Sequence, residues 1–141
     1  MNTSQINAIL SHDVMTKDVF QGVYPVNRLP KSCEGMYVIN TDEQHQPGEH
    51  WVAVYNKEYF DSFGVSPLDS RIIDFMDSTI QYNCVPLQQI LTNACGFYCV
   101  YYLLERARGR SMKEIIHVLK NSDSDFIVKN MIYDRYKPLF Y

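Results

Sequence analysis

The sequence predicts an α+β domain: a central mixed or antiparallel sheet flanked by helices. Three observations predict it. Apolar residues recur at helical spacing near the N-terminus and again beyond residue 95. Between them, Tyr37-Val38-Ile39 and Trp51-Val52-Ala53-Val54-Tyr55 are short runs of strand formers. Polar stretches carrying Pro or Gly separate these segments. The 141 residues suit one domain spanning 1–141. An apolar fraction of 46% and an aromatic fraction of 13% are enough for a packed core without metals or disulfides.

The elements follow in order. Thr3 or Ser4 caps a short helix through Leu10, with Ile6, Ile9 and Leu10 on one face. Residues 21–34, broken by Gly22, Pro25 and Pro30, read as loop. Gly35–Asn40 reads as a buried strand, and Thr41–Glu49, with Pro47-Gly48, as a turn. His50–Tyr55 is a strand, Asn56-Lys57 a hairpin break, and Glu58–Asp61 the returning strand. Pro67 opens a helix through Met76 whose face is Leu68, Ile72, Phe75 and Met76. Ile80–Val85 is a further strand. Asn93 caps a heavily apolar helix from Cys95 to about Ala107, and Gly109 ends it. Ser111-Met112-Lys113-Glu114 is a capping box that starts a helix through Leu119. A last helix begins at Ser122 or Ser124 and runs to about Tyr133.

A net charge of -3 and a pI near 5.7 give no general positive field, so nucleic acid is not the default partner. The basic stretch Arg106–Arg110 with Lys113 reads as a solvated helix end. Met1–Gln5 lacks the form of a secretory signal, and no stretch approaches the roughly 20 apolar residues of a membrane span. Cys33, Cys84, Cys95 and Cys99 are therefore expected as free thiols in a reducing intracellular compartment. No CxxC pair exists, and no metal or other cofactor is expected.

Chemistry concentrates in three segments. Cys95 falls at the first turn of the most apolar helix, where unpaired N–H groups and the helix dipole favour a thiolate. Gly96 removes side-chain bulk beside the sulfur, which would let a substrate backbone approach. His50 opens a strand and can act as general base; His12, His45 and His117 compete with it. Asp61 ends the neighbouring strand and can orient the imidazole, with Glu49 and Asp69 as substitutes. A glutamine amide from Gln88-Gln89 can join the Cys95 backbone N–H in an oxyanion hole. Nucleophile, base, orienter and oxyanion donor are the parts of a thiol hydrolase. For each residue a plain structural role competes: core cysteine, turn histidine, turn aspartate, solvated glutamine. Cys99, among Val100, Tyr101 and Leu103, reads as core.

The joint pattern resembles the adenovirus maturation protease (adenain) family of cysteine proteases and, more distantly, the proteases of SUMO and related ubiquitin-like proteins. Residues 37–41 with Gly48–Ala53, Tyr59–Gly64, and Gln88-Gln89 through Cys99 carry the likeness, which extends over most of residues 1–108. The Phe-Asp-Ser-Phe-Gly form of the second segment favours the viral branch. The resemblance implies a papain-like core in permuted chain order, with the nucleophile at the N-terminus of a buried helix. It implies His50 as base, Asp61 as orienter and Cys95 as nucleophile. SUMO-type spacing selects Gln89 as oxyanion donor and adenovirus-type spacing selects Gln88; Gln89 is taken first. Trp51, Asn40 and Gly96 are the substrate-contact candidates.

The function expected is a cysteine endopeptidase that cleaves viral or virus-like-element capsid or core precursors near glycine. By resemblance it works in the virion and the host nucleus or cytoplasm, as a monomer on a polypeptide substrate, with an activating peptide as a candidate partner. The acidic balance weakens the expectation of DNA as an activator. One alternative is a protease for ubiquitin-like modifiers. Another is a non-catalytic binding module on the same fold, with an inert Cys95.

Overall fold

The structure is a computed structural model that describes residues 1–42, 50–77, 80–89 and 92–140. Five strands form one mixed sheet in the order β1-β2-β3-β4-β5: Phe20–Pro25, Met36–Asn40, Trp51–Tyr55, Glu58–Phe60 and Gln81–Tyr82. β1 runs parallel to β2, β2–β3 and β3–β4 are antiparallel, and β5 runs parallel to β4. The helices are α1 (Thr3–His12), α2 (Ser70–Met76), α3 (Cys95–Ala107), α4 (Met112–Lys120) and α5 (Ser124–Arg135).

The central strands are apolar on both faces because both are covered. Alternation sends Met36, Val38, Trp51, Ala53 and Phe60 toward α1, α3, α4 and α5. It sends Tyr37, Ile39, Val52, Val54 and Tyr59 toward α2 and the short 3-10 turn at Val26–Arg28. The result is three layers, with α3 in the middle of the larger core. Every α3 residue from Cys95 to Glu105 is buried. Burying one Leu- or Phe-sized side chain contributes about 1.5–3 kcal/mol, so these two faces hold the sheet.

Two anchors fix α3 against the hairpin. The Phe60 ring stacks on Tyr102 with centroids 4.3 Å apart. At the other end of β4, the Glu58 carboxylate accepts two 2.8 Å bonds from Arg106 and another from the Tyr102 hydroxyl. The bidentate geometry makes this stronger than an ordinary surface pair. Asn56, with φ of 54°, turns the chain between β3 and β4, and its side chain accepts from the Gly35 N–H.

Several expectations change. Residues 20–25 form the parallel edge strand β1, not loop; Gly22 sits at a register irregularity there, so glycine marks a bulge. Asn2, not Thr3 or Ser4, caps α1, through a reciprocal capping box with Gln5. Asp69 caps α2, which starts later than the proline suggests and leaves Leu68 78% exposed. The expected strand at 80–85 shrinks to Gln81–Tyr82. Ala94 occupies the cap position of α3, and Asn93 does not cap it. Asp123 caps α5. The Pro47-Gly48 turn lies outside the described residues.

The basic stretch is not a free patch. Arg106 is tied to Glu58, Arg108 to Asp13 at 2.7 Å, and Arg110 to Glu105 at 3.0 Å. Each of these three arginines is thus paired with a carboxylate of the fold. No helix among the described residues is long and apolar enough to cross a membrane.

Two glycines with left-handed backbones allow a sharp comparison. A Cβ at Gly64 (φ +71°) would lie 2.6 Å from the Val85 carbonyl carbon, whereas one at Gly109 (φ +91°) would meet nothing within 4 Å. Gly109→Ala should cost about 1–2 kcal/mol from the left-handed backbone alone. Gly64→Ala should cost clearly more, because backbone must also move. Urea denaturation of both variants checks this; equal losses would refute the close approach at Gly64.

Candidate active site

The site forms where the β2–β3 and β3–β4 ends meet the first turn of α3. His50 immediately precedes β3, and its backbone carbonyl accepts from the Thr41 N–H at 2.9 Å and the Thr41 hydroxyl at 3.3 Å. This fixes the strand mouth from which the imidazole projects. Asp61 immediately follows β4, and its neighbour across the hairpin is the β3 strand. His50 Nε2 donates to Asp61 Oδ1 at 3.1 Å. The carboxylate is almost fully buried, and the imidazole is about three-quarters buried.

Each residue of Phe60-Asp61-Ser62-Phe63-Gly64 has a physical task. Phe60 packs on α3. Asp61 Oδ1 accepts from both His50 and the Phe63 N–H, the latter at 2.8 Å. Ser62 donates its hydroxyl to Gln88 Oε1 at 2.6 Å, and its carbonyl accepts from the Leu87 and Gln88 N–H groups. The Phe63 ring lies 5.1 Å from the His50 ring, centroid to centroid. Gly64 turns back, its N–H on the Asp61 carbonyl at 2.8 Å, and lets Val85-Pro86 pass against it.

Asn83 is a further member that the sequence pattern did not single out. It is buried, its Oδ1 accepts from the Asp61 N–H at 3.0 Å, and its Nδ2 donates to the Asp61 carbonyl at 2.7 Å. It pairs with Asp61 as a neighbouring strand would, just where β5 has ended. A lone Asn between Tyr82 and Cys84 gave no spacing signal for this.

Cys95 is the first residue of α3 and is 3% exposed. Burial alone pushes its thiol up. The His50 ring outweighs that, together with the backbone N–H groups of Trp51 and Gly96, and the thiol ends below its ordinary value. His50 shows the converse. Burial pushes its imidazole down, but the Asp61 carboxylate and the Cys95 sulfur raise it to about 9. His50 Nδ1, the nitrogen not used by Asp61, is buried and has no partner of full hydrogen-bond geometry. Imidazole and thiol form a close pair, each favouring the charged form of the other. An imidazolium–thiolate pair is a ready nucleophile with its proton donor alongside. Cys99 is fully buried and its thiol is pushed well up, chiefly by burial.

The two glutamines separate. Gln88 is 5% exposed and lies between Ser62 and Thr92; its Nε2 donates to the Thr92 carbonyl at 2.8 Å and to the Thr92 hydroxyl at 3.1 Å. Gln89 is exposed; its backbone N–H lies 3.4 Å from Asp125 Oδ1 and its carbonyl accepts from the Thr92 hydroxyl at 3.0 Å. Burial brings Gln88, and not Gln89, to the site's edge: Gln88 bonds Ser62, which adjoins Asp61.

The substrate-contact candidates also change meaning. A Cβ at Gly96 would lie 3.1 Å from the Trp51 ring and 3.4 Å from the Met1 side chain. The space beside Gly96 is filled by Trp51, not left open for a substrate backbone. Trp51 belongs to the core, although its Nε1 is buried without a hydrogen-bond partner. Asn40 pairs with Trp51 across β2–β3 and accepts from the Asp42 N–H at 3.0 Å.

The competing residues lie elsewhere or outside the description. His12 Nδ1 bonds the Ala8 carbonyl of its own helix at 2.8 Å. His117 lies on α4 in a groove of about 460 Å³, bounded also by Tyr82, Cys84, Val85 and Met112. Neither Cys95 nor His50 lines that groove. Asp69 is occupied at the α2 cap and with Arg71. His45 and Glu49 lie outside the described residues. None of the cysteines forms a disulfide. Among the described residues no group of three or more His, Cys, Asp or Glu side chains could hold a metal ion.

The chain matches no known protein-family model and no curated protein.

The Asp61 carboxylate should be visible in the titration of His50. The ring's pKa is raised from 6.5 to about 9 in the folded protein. The stabilisation it brings is therefore fully present below pH 6.5 and is lost as the pH rises through about 9. Asp61→Ala should bring the imidazole midpoint down and flatten that pH dependence. NMR titration of the ring, with denaturation at pH 6 and above pH 9, checks it; an unmoved midpoint would remove Asp61 from its role.

Proposed function

We propose that the protein is a cysteine endopeptidase of the kind its sequence resembles. The observation that carries this reading is the Asp61–His50–Cys95 alignment at the start of α3. Asp61 holds the imidazole by Nε2, and the other nitrogen is left to serve the thiol.

The steps follow from the positions. The Cys95 thiolate attacks the carbonyl carbon of the scissile peptide, and the carbonyl oxygen becomes an oxyanion. The Cys95 N–H at the helix start and the Gln88 amide are the donors proposed for it. The Gln88 amide rests on Thr92; donation to an oxyanion exchanges a neutral bond for a charge-assisted one, which is about twice as strong. His50 passes its proton to the leaving amine. It then takes a proton from water, which attacks the thioester and releases the acid. Asp61 keeps the ring oriented and its positive charge compensated throughout. By resemblance the substrate is a capsid or core precursor polypeptide, cut near glycine.

The resting site is closed. With Cys95 3% exposed and Trp51 seated on Gly96, a peptide carbonyl reaches the sulfur only after the cover moves. Small reagents should therefore outpace large ones. At neutral pH, iodoacetamide should still modify the His50-paired Cys95 faster than the exposed Cys84, and Cys99 should not react. His50→Ala should slow Cys95 at least about 10-fold. Peptide mapping after timed alkylation reads this directly. Equal labelling of Cys84 and Cys95, indifferent to His50→Ala, would favour the binding-module alternative.

Turnover of a glycine-containing fluorogenic peptide should vanish in Cys95→Ala. It should fall about 100- to 1,000-fold in kcat in Gln88→Ala, while Gln89→Ala stays near wild type. kcat/KM should decline above pH 9 or so as His50 loses its proton. Capture of Cys95 by a ubiquitin-like probe ending Gly-Gly, with no cleavage of free peptides, would shift the substrate to a ubiquitin-like modifier.

A further inference from the structure

Behind the site lies a buried polar cluster that the chemistry above does not use. Tyr98, three residues beyond Cys95 on α3, is fully buried. Its hydroxyl lies 2.5 Å from Asp125 Oδ1, 2.6 Å from Ser124 Oγ and 3.2 Å from the Leu87 carbonyl oxygen. Ser124 also donates to the Leu87 carbonyl at 2.8 Å, and Asp125 Oδ1 receives the Gln89 N–H at 3.4 Å. Ser124 and Asp125, in the first turn of α5, are themselves buried.

Burying a carboxylate and two hydroxyls is costly, and apolar side chains would fill the same space. The α5 cap does not need Asp125, since Asp123 supplies it. What the cluster does hold is one peptide unit of the Gln88 loop. The Leu87 carbonyl is turned inward to Tyr98 and Ser124, while the Gln88 N–H of the same unit is bonded to the Ser62 carbonyl at 3.0 Å. With both ends held, the unit cannot rotate, and the direction in which the Gln88 side chain leaves the backbone is set. The inner pin stands on the helix that carries the nucleophile; the outer pin stands beside Asp61.

We infer that Tyr98 and Asp125 are positioning residues for the oxyanion donor: they fix the Leu87–Gln88 peptide, and with it the Gln88 amide, relative to the Cys95 sulfur. This rests on the peptidase reading above. Displacing a donor by about an ångström can cost on the order of 100-fold in rate, so a buried network is a reasonable use of polar groups there.

The test compares two reactions of Cys95 in the full chain. Alkylation by iodoacetamide needs the thiolate but develops no oxyanion. Acylation by 4-nitrophenyl acetate develops one as the sulfur attacks the ester carbonyl and 4-nitrophenolate leaves. Tyr98→Phe and Asp125→Asn should keep alkylation within about 2-fold and lower acylation about 10- to 100-fold. Adding Gln88→Ala to either should cost little more, because both changes remove the same donor. Thermal melts identify a variant that fails to fold, and Ser124→Ala then takes its place in the same comparison. The inference is overturned if the two reactions fall together, if acylation is unchanged, or if each change keeps its full effect in the Gln88→Ala background. A wild-type Cys95 that neither acylates nor responds to His50→Ala overturns the peptidase reading instead.

Discussion

The arrangement depends on a charge kept under cover. The Asp61 carboxylate is almost fully buried, a state that needs compensation from every side. His50 supplies one bond and the Phe63 N–H another, while Asn83 clamps the backbone above and below. The five residues from Phe60 to Gly64 are what that compensation needs in sequence: a core anchor, the acid, a tie to the next loop, a donor, and a turn. The His50–Cys95 pair follows from it, because only a ring already held by Nε2 presents its other nitrogen to the sulfur. Without the carboxylate, the imidazole would lose the main support of its charged form against burial.

Three layers serve this end. The sheet is apolar on both faces, so its central strands are rigid, and its β3 and β4 ends carry His50 and Asp61. α3 is buried along nearly its whole length, which lets its first residue be placed by packing and not by a cap. The segment from Asn83 to Gln89 joins the two systems. It bonds Asp61 through Asn83, Ser62 through Leu87 and Gln88, and α3 through Tyr98.

Much of this was legible because it depends on local pattern. The Ile6-Ile9-Leu10 face, the hairpin break at Asn56-Lys57, the bounds of α3 and the Gly109 stop are all properties of short windows. His50, Asp61 and Cys95 could be proposed together because strand mouth, strand end and helix start are readable positions. What was not legible depends on partners distant in sequence. β1 is a strand because β2 lies beside it, despite Gly22 and Pro25. Gln88 and Gln89 are identical by type and differ only in which one the loop turns inward. Gly96 invited a reading of open space, yet the space belongs to Trp51. Arg106 and Arg108 read as part of a solvated helix end, yet their partners Glu58 and Asp13, far upstream, tie them into the fold. Asn83 and Asp125 bear on the site through bonds that span 22, 27 and 36 residues.

The Glu58–Arg106 anchor has a consequence for the order in which the molecule becomes competent. Glu58 and Phe60 share one face of β4, and both are bound to α3, by Arg106 with Tyr102 and by the Tyr102 ring. Tyr59, between them, serves the opposite face. A hairpin slipped by one residue would offer Tyr59 to the helix and leave Arg106 without its carboxylate. While the chain is still emerging from the ribosome, the hairpin is complete long before residue 106 appears. Until then the Glu58–Arg106 bond cannot form. Cys95 and the Arg106 anchor stand at opposite ends of the same thirteen-residue helix. One helix thus ties the placement of Cys95 beside His50 to the register of the hairpin that carries His50 and Asp61.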